Sequence, residues 1–181
     1  MAGFTNALTV VANDPTKADV VAAAAYTGAL TVKTAAATGL GATGTFTGGT
    51  GTTDTITYDL TAGAVTQAGS ATITAFEKIN TSGATTNALS VTLDDANIAA
   101  TKTLTIDGSA LTTGVLTVVA TAEADGNVIV LGGGAADLIT GSASTLGDNL
   151  SGAAGNDTFT MAGNLTSIDT IAGGDGTDTI R

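Results

Sequence analysis

The chain of 181 residues contains no cysteine, no histidine and no tryptophan, and it has a single proline. Without cysteine there is neither a disulfide framework nor thiol redox chemistry. Without histidine and cysteine there is no Ser-His-Asp or Cys-His arrangement and no expected zinc site. No apolar run approaches the roughly 20 residues of a membrane span, and no signal peptide is visible at the start. We therefore expect a protein that is not an enzyme and does not insert into a membrane.

Positive charge is also scarce. Five basic residues face sixteen acidic ones, which gives a net charge of −11. Nearly all of the acids are Asp, and only Glu77 and Glu123 are Glu. A solvated helical surface would favour Glu, whereas turns and calcium loops favour the shorter Asp. The charge opposes nucleic acid and anionic membranes as partners and favours divalent cations.

The abundant residues are Thr, Ala and Gly, which offer little bulk for a wide core. A narrow core repeated along one axis suits such a chain better. Apolar residues and Thr alternate with period two, which indicates half-buried strands. Runs of this kind include 8–10, 30–32, 55–57, 72–74, 89–93, 103–106 and 116–118. From Leu104 onward the apolar centres recur at short and fairly even intervals, near positions 116, 128, 138, 150, 159, 171 and 180, which predicts an all-β fold, a parallel β-solenoid.

One exception to this pattern lies near the start. Asp14 and Pro15 suit the beginning of a helix, an alanine run follows, and Gly28 suits its end. The alternative is an Ala-rich buried strand, and the residues leave both open. We predict an N-terminal segment at 1–35 with at most one short helix near residues 15–26. A Thr/Ala-rich β-solenoid at 36–130 and a Gly/Asp-rich roll at 131–181, continuing in a longer protein, would follow.

Aspartates recur through the last third, and each is followed two positions later by Ile, Leu or Phe. Alternate members recur at a nearly constant interval. In a roll with two strands and two turns per coil, Asp137, Asp157 and Asp178 would share one edge, and Asp148 and Asp169 the other. Stacked turns could then surround a cation with the 6–8 oxygen ligands that calcium takes.

Glycine-rich turns precede three of these aspartates. The segment 173–181 matches the nonapeptide G-G-x-G-x-D-x-U-x at every defined position. The turn 152–157 lacks the second Gly, and 132–137 has Ala at the fourth position. Ordinary metal-free turns are the alternative. The predicted calcium ligands are Gly132, Gly134, Asp137, Asp148, Gly152, Ala154, Asp157, Asp169, Gly173, Asp175 and Asp178.

Other acidic residues are expected to have simpler roles. A turn similar to 173–178 precedes Asp54, but the spacing offers it no stacked partner close by. Turn or N-cap positions are expected for the remaining candidates, which are Asp94, Asp95, Asp107 and Asp125.

The C-terminal segment 131–181 resembles the calcium-binding RTX repeats. The wider chain resembles the Thr/Ala/Gly/Asp-rich bacterial surface-layer and adhesin proteins, on the segments 76–83 and 104–109 together with the three Gly-Asp turns. This resemblance implies an RTX-like β-roll at 131–181, Ca²⁺ as the cofactor, type I secretion and a location outside the cell or on the bacterial surface.

The function expected on these grounds is that of a calcium-dependent structural protein that assembles into a surface layer or fibre. Self-association into a lattice or filament is the expected partnership, and a cell-surface polysaccharide is a second candidate partner. Two alternatives stay open. One is an adhesin or biofilm-matrix segment, and the other is a secretion and folding module of an extracellular enzyme.

Overall fold

The structure is a computed structural model that describes residues 6–12, 19–34, 40, 44–51, 53–69, 72–161 and 163–181. Strands make up almost all of the regular structure in these ranges, with short 3₁₀ turns at Leu60–Ala62 and Asp95–Asn97. The strands are β1 Leu8–Val11, β2 Val20–Ala22, β3 Leu30–Thr34, β4 Thr45–Thr47, β5 Thr55–Asp59, β6 Val65–Gln67, β7 Ile73–Thr74, β8 Lys78–Ser82, β9 Leu89–Thr92, β10 Thr103–Asp107, β11 Leu116–Val119, β12 Asn127–Leu131, β13 Leu138–Thr140, β14 Asn149–Ala154, β15 Thr158–Thr160, β16 Thr170–Asp175 and β17 Thr179–Ile180.

These strands form three parallel sheets. Eight strands pair in the order β1-β3-β5-β8-β10-β12-β14-β16, and six pair in the order β17-β15-β13-β11-β9-β6. A third sheet has the order β2-β4-β7. Because strands that pair lie about one coil apart in sequence, the chain winds as a parallel β-solenoid of about seven turns. The predicted fold class is confirmed.

The core consists of apolar columns that run along the solenoid axis. In the eight-stranded sheet, register places equivalent residues of successive coils directly above one another. One such column contains Val32, Ile56, Ile79, Ile106, Val130 and Leu150, all at most 4% exposed. A column in the six-stranded sheet contains Val91, Val118, Ile139 and Phe159. Each inward Ile or Leu contributes about 1.5–3 kcal/mol through burial, while the Thr residues between them face outward.

Of the two alternatives left open near residues 15–26, the structure has the strand and not the helix in the part that it describes. Val20–Ala22 form strand β2, which pairs with β4, and a turn follows. Val21 packs against the core, and its β-branched side chain fits a pleated surface. The strand alternative therefore holds from Val20 onward, whereas 13–18 lie outside the described residues. No described helix has the length and apolarity needed to cross a membrane.

Candidate metal centre at the stacked aspartate turns

The predicted two-edged arrangement of aspartates is present. Leu138, Thr158 and Thr179 are in register, so Asp137, Asp157 and Asp178, which precede them, stack along one edge. Asn149 pairs with Thr170, which stacks Asp148 on Asp169 along the other edge. The interval between alternate aspartates is therefore the length of one coil in this part of the chain.

Each carboxylate on the first edge accepts a hydrogen bond from a backbone amide of the preceding coil. Asp178 Oδ1 accepts from the Asp157 amide at 2.9 Å, and Asp157 Oδ1 accepts from the Asp137 amide at 2.7 Å. Asp137 Oδ1 accepts from the Leu116 amide at 2.8 Å. These bonds link four successive coils through side chains as well as through the strands.

The second edge repeats this arrangement. Asp169 Oδ1 accepts from the Asp148 amide at 2.7 Å, and Asp148 Oδ1 accepts from the Val128 amide at 3.2 Å. The donor again lies one coil earlier. A carboxylate that links coils is thus common to both edges.

Acidic residues also precede strands of the eight-stranded sheet much earlier in the chain. Asp54 Oδ1 accepts from the Leu30 amide, and the Asp54 amide donates to Glu77 Oε2, both at 2.8 Å. No stacked partner was expected for Asp54, yet Glu77 is that partner. Two features of the sequence could have identified Glu77 as the stacked partner of Asp54. The two residues are one coil apart, and the apolar Ile79 follows Glu77 by two positions.

The second carboxylate oxygen distinguishes the two edges. On the second edge, Ser142 donates its amide to Asp148 Oδ2 at 2.7 Å and its hydroxyl to Oδ1 at 2.9 Å. The amide of Thr166 similarly donates to Asp169 Oδ2 at 2.6 Å. Protein donors therefore satisfy both oxygens on this edge.

On the first edge, Asp137 and Asp157 differ from each other. Asp137 Oδ2 accepts from the Gly133 amide at 2.8 Å. Asp157 Oδ2 is buried and has no hydrogen-bond partner among the described residues. A buried carboxylate oxygen without a partner is costly, so the turn at 152–157 is the place on this edge where a cation would stabilise the carboxylate most.

The glycines that open these turns leave room for the carboxylates. A Cβ on Gly152 would lie 2.0 Å from Asp157 Oδ2, and one on Gly173 would lie 2.1 Å from Asp178 Oδ2. At Gly132 the corresponding distance, to Asp137 Oδ2, is 2.6 Å. The first glycine of each turn is thus required by the fold whether or not a metal binds.

The remaining predicted ligands lie in or beside the stacked turns. A Cβ on Gly134 would lie 2.5 Å from the Thr112 carbonyl oxygen, so two coils approach closely there. Ala154 and Asp175 are paired residues of β14 and β16, and the carbonyl of Asp175 accepts from the Gly155 amide at 2.9 Å. The Asp175 side chain is exposed. All of the predicted ligand residues therefore lie along the two edges, and their binding of calcium stays a prediction.

The electrostatics of the first edge favour a cation. Burial raises the pKa of Asp137, and the neighbouring Asp157 carboxylate raises it further. Burial also raises the pKa of Asp157, with Asp178 adding to the effect. The ion pairs of the described residues join Lys33 to Asp59 and Lys78 to Asp107, so no lysine in these pairs neutralises this edge.

Asp169 on the second edge behaves in the opposite way. Burial alone would raise its pKa, but hydrogen bonds from the Asp148 amide and from Thr166 lower it overall. The carboxylate is therefore stabilised in its charged form by protein donors. This edge has less need of a cation than the first.

Two of the aspartates that were expected to be turn residues are confirmed in that role. Asp94 caps the 3₁₀ turn at Asp95–Asn97 and forms a reciprocal capping box with Asn97. Asp107 accepts from the amide and hydroxyl of Ser109, and it also pairs with Lys78 at 2.7 Å. Asp95 and Asp125 also lie in turns, but they belong to a separate acidic cluster.

The first edge combines carboxylates with bare glycine turns, and hard oxygen ligands of this kind suit Ca²⁺. Asp157 Oδ2, which has no hydrogen-bond partner among the described residues, could be one ligand of such an ion. No protein-family model, curated protein or solved structure matches the chain.

Proposed function

We propose that this chain is a calcium-stabilised structural protein of the bacterial cell exterior that assembles into a surface layer or fibre. The observation that carries the proposal is the first edge, where, among the described residues, buried aspartates stack without an ion pair to lysine and Asp157 Oδ2 has no hydrogen-bond partner. Asp157 and Asp178 would supply carboxylates, and the turns at 152–157 and 173–178 would supply carbonyl oxygens.

Calcium would act as a condition for stable folding. Without the ion, the burial of Asp137 and Asp157 and their mutual repulsion oppose coil stacking. A bound divalent cation would remove that repulsion, so its binding free energy becomes folding free energy. Calcium is scarce in the cytosol and plentiful outside the cell, which would confine the stable fold to the exterior.

Self-assembly is proposed on the resemblance of the wider chain to the Thr/Ala/Gly/Asp-rich surface-layer proteins. A net charge of −11 opposes contact between copies unless cations neutralise it, so assembly should require calcium.

The calcium part of the proposal is tested by thermal unfolding of the full chain, followed by circular dichroism, in EGTA, in calcium and in magnesium. We expect calcium to raise the melting temperature clearly and magnesium to raise it much less, because calcium tolerates irregular sites. The Asp157→Asn variant should lose most of the calcium effect. The matched variant Asp19→Asn removes the same charge elsewhere and should keep it. Identical melting of the wild-type chain in EGTA and calcium would disprove calcium-dependent stability.

The assembly part has its own readout. Light scattering and negative-stain electron microscopy in millimolar calcium should show growing ordered particles, and EGTA should reverse them. If the chain binds calcium but remains monomeric, assembly is wrong and the calcium-stabilised fold still stands.

A further inference from the structure

A second group of acidic side chains converges on the same corner of the solenoid as Asp148 and Asp169, in the coils that precede them. Asp95 lies in the 3₁₀ turn after β9, and Glu123 and Asp125 lie in the turn between β11 and β12. Because β9 and β11 are neighbours in the six-stranded sheet, these turns belong to successive coils. One carboxylate oxygen from each residue lies within 4.8 Å of the other two.

Glu123 is the central member of this cluster and is fully buried. Its Oε1 accepts from the amides of Asp125, at 3.0 Å, and Gly126, at 2.6 Å. Its Oε2 is buried and has no hydrogen-bond partner among the described residues. One oxygen therefore fixes the carboxylate in place, and the other is left available for a ligand.

Asp95 and Asp125 are exposed, so the cluster opens to solvent. The amide of Ala124 donates to Asp95 Oδ1 at 3.0 Å, which holds the two coils together at this corner. The ion pairs of the described residues lie elsewhere and leave all three carboxylates without a lysine. Three like charges this close repel one another unless a cation lies between them.

We propose that Asp95, Glu123 and Asp125 bind a calcium ion that joins two successive coils at this corner. Calcium binds oxygen at about 2.3–2.6 Å, so ligand oxygens up to about 5 Å apart can share one ion, and water can complete the 6–8 ligands. Magnesium, at about 2.0–2.1 Å, requires a tighter octahedral set. The site uses none of the ligands predicted above and lies one coil before Asp148, so it does not depend on calcium binding at the first edge.

The test is a calcium titration of the full chain, uniformly labelled with ¹⁵N and followed by amide NMR. The amides of Ala124, Asp125 and Gly126 should shift with a midpoint at or below about 1 mM calcium, the upper end of the range of dissociation constants for extracellular calcium modules. In Glu123→Gln, which keeps the size and Oε1 of the side chain, the apparent affinity at these amides should fall by about tenfold or more.

A second variant and a charge control keep the outcome clear. Asp95→Asn changes an exposed residue, so it should leave the fold intact and weaken the same shifts. Asp19→Asn, with the same loss of charge elsewhere, should titrate like the wild type. The site is disproved if the amides of 124–126 do not respond in the folded wild type, or if both cluster variants respond as the wild type does. Amides of 173–178 report on the first edge and the Thr166 amide reports on the second, so failure at the cluster is distinguished from failure at the stacked aspartates.

Discussion

At the scale of the single residue, the carboxylates of this chain serve chiefly as acceptors for backbone amides. Asp137, Asp157 and Asp178 each connect to the coil before them, and Glu77 does the same for Asp54. A hydrogen bond to a charged group contributes about 1.5–3 kcal/mol, more than a neutral one. Aspartate in these turns therefore has a structural reason to be present that is independent of any metal.

At Asp157, accepting a backbone hydrogen bond can be tested separately from binding calcium. In calcium-free buffer we expect Asp157→Ala to be less stable than Asp157→Asn by about 1–3 kcal/mol, because only Asn keeps an acceptor for the buried Asp137 amide. Urea unfolding of both variants in EGTA measures the difference. Equal stabilities would mean that the bond between coils contributes nothing.

At the scale of the element, each short strand contributes one or two side chains to a column. In β13 the side chain of Ile139 is 1% exposed, and that of its neighbour Leu138 is 52% exposed. Ile139 lies between Val118 of the preceding coil and Phe159 of the next. Because each coil contacts only its neighbours, the loss of stability from a substitution in one column should be confined to the adjacent coils.

Replacing these two neighbours by alanine gives a matched comparison. Ile139→Ala should cost about 2–5 kcal/mol through lost burial and the cavity left behind. Leu138→Ala should change stability by less than about 0.5 kcal/mol. Hydrogen exchange should accelerate mainly in the coils around β11, β13 and β15 in the first variant. Uniform acceleration from β3 to β17 would contradict the local picture.

Much of the architecture could be predicted at this scale. Period-two runs locate strands such as β3, β5 and β10, and the apolar spacing from Leu104 onward predicts every later strand of the two main sheets. Strands β4 and β6 each have a single apolar residue among three and are absent from the predicted runs. The alanine run after Val20 favours helix locally, and pairing with β4 overrides that preference.

The sites were predictable where their residues recur at a constant spacing. Asp137, Asp157 and Asp178 are regularly spaced, so their stacking could be read from the sequence. Asp95 and Glu123 are brought together by a coil of a different length, and no local pattern links them. The hydrogen-bond partners of the carboxylates were also hidden, because backbone amides are present at almost every position.

At the scale of the whole molecule, the columns stay aligned although the coils differ in length. A short step of the eight-stranded sheet runs from Ile129 to Asn149, and a longer one runs from Lys78 to Thr105. The extra residues of the longer coils lie in the turns at the corners, so the strands stay in register. The molecule thus concentrates its acidic groups at corners, where some carboxylates have raised pKa values and others have lowered ones.

These shifts predict how stability changes with pH in calcium-free protein. Burial is the main cause that raises the pKa of Glu77, Glu123, Asp137 and Asp157. Their stabilising contribution is complete below the unfolded carboxyl pKa of about 4 and is lost as pH rises through the folded values. The carboxyls with lowered pKa, Asp59, Asp107 and Asp169, lose their contribution only at lower pH.

Calcium-free protein should therefore gain stability as pH falls from 7 toward about 5, before it unfolds in stronger acid. Urea midpoints at a series of pH values measure this trend, and Asp157→Asn should flatten it. Calcium should reverse the trend, because protons then compete with the ion. A midpoint that falls steadily from pH 7 to pH 5 without calcium would contradict the prediction.

The parallel stacking also determines how the molecule would respond to tension. Strands run across the solenoid axis, so the bonds between coils lie along it and would bear a pulling force in series. Each coil adds only about 4.8 Å of height. A released coil of about 20 residues could extend to about 65–70 Å. Under load, such a protein would lengthen coil by coil, and the strand ladders together with the carboxylates that link adjacent coils would set the force at which each one opens.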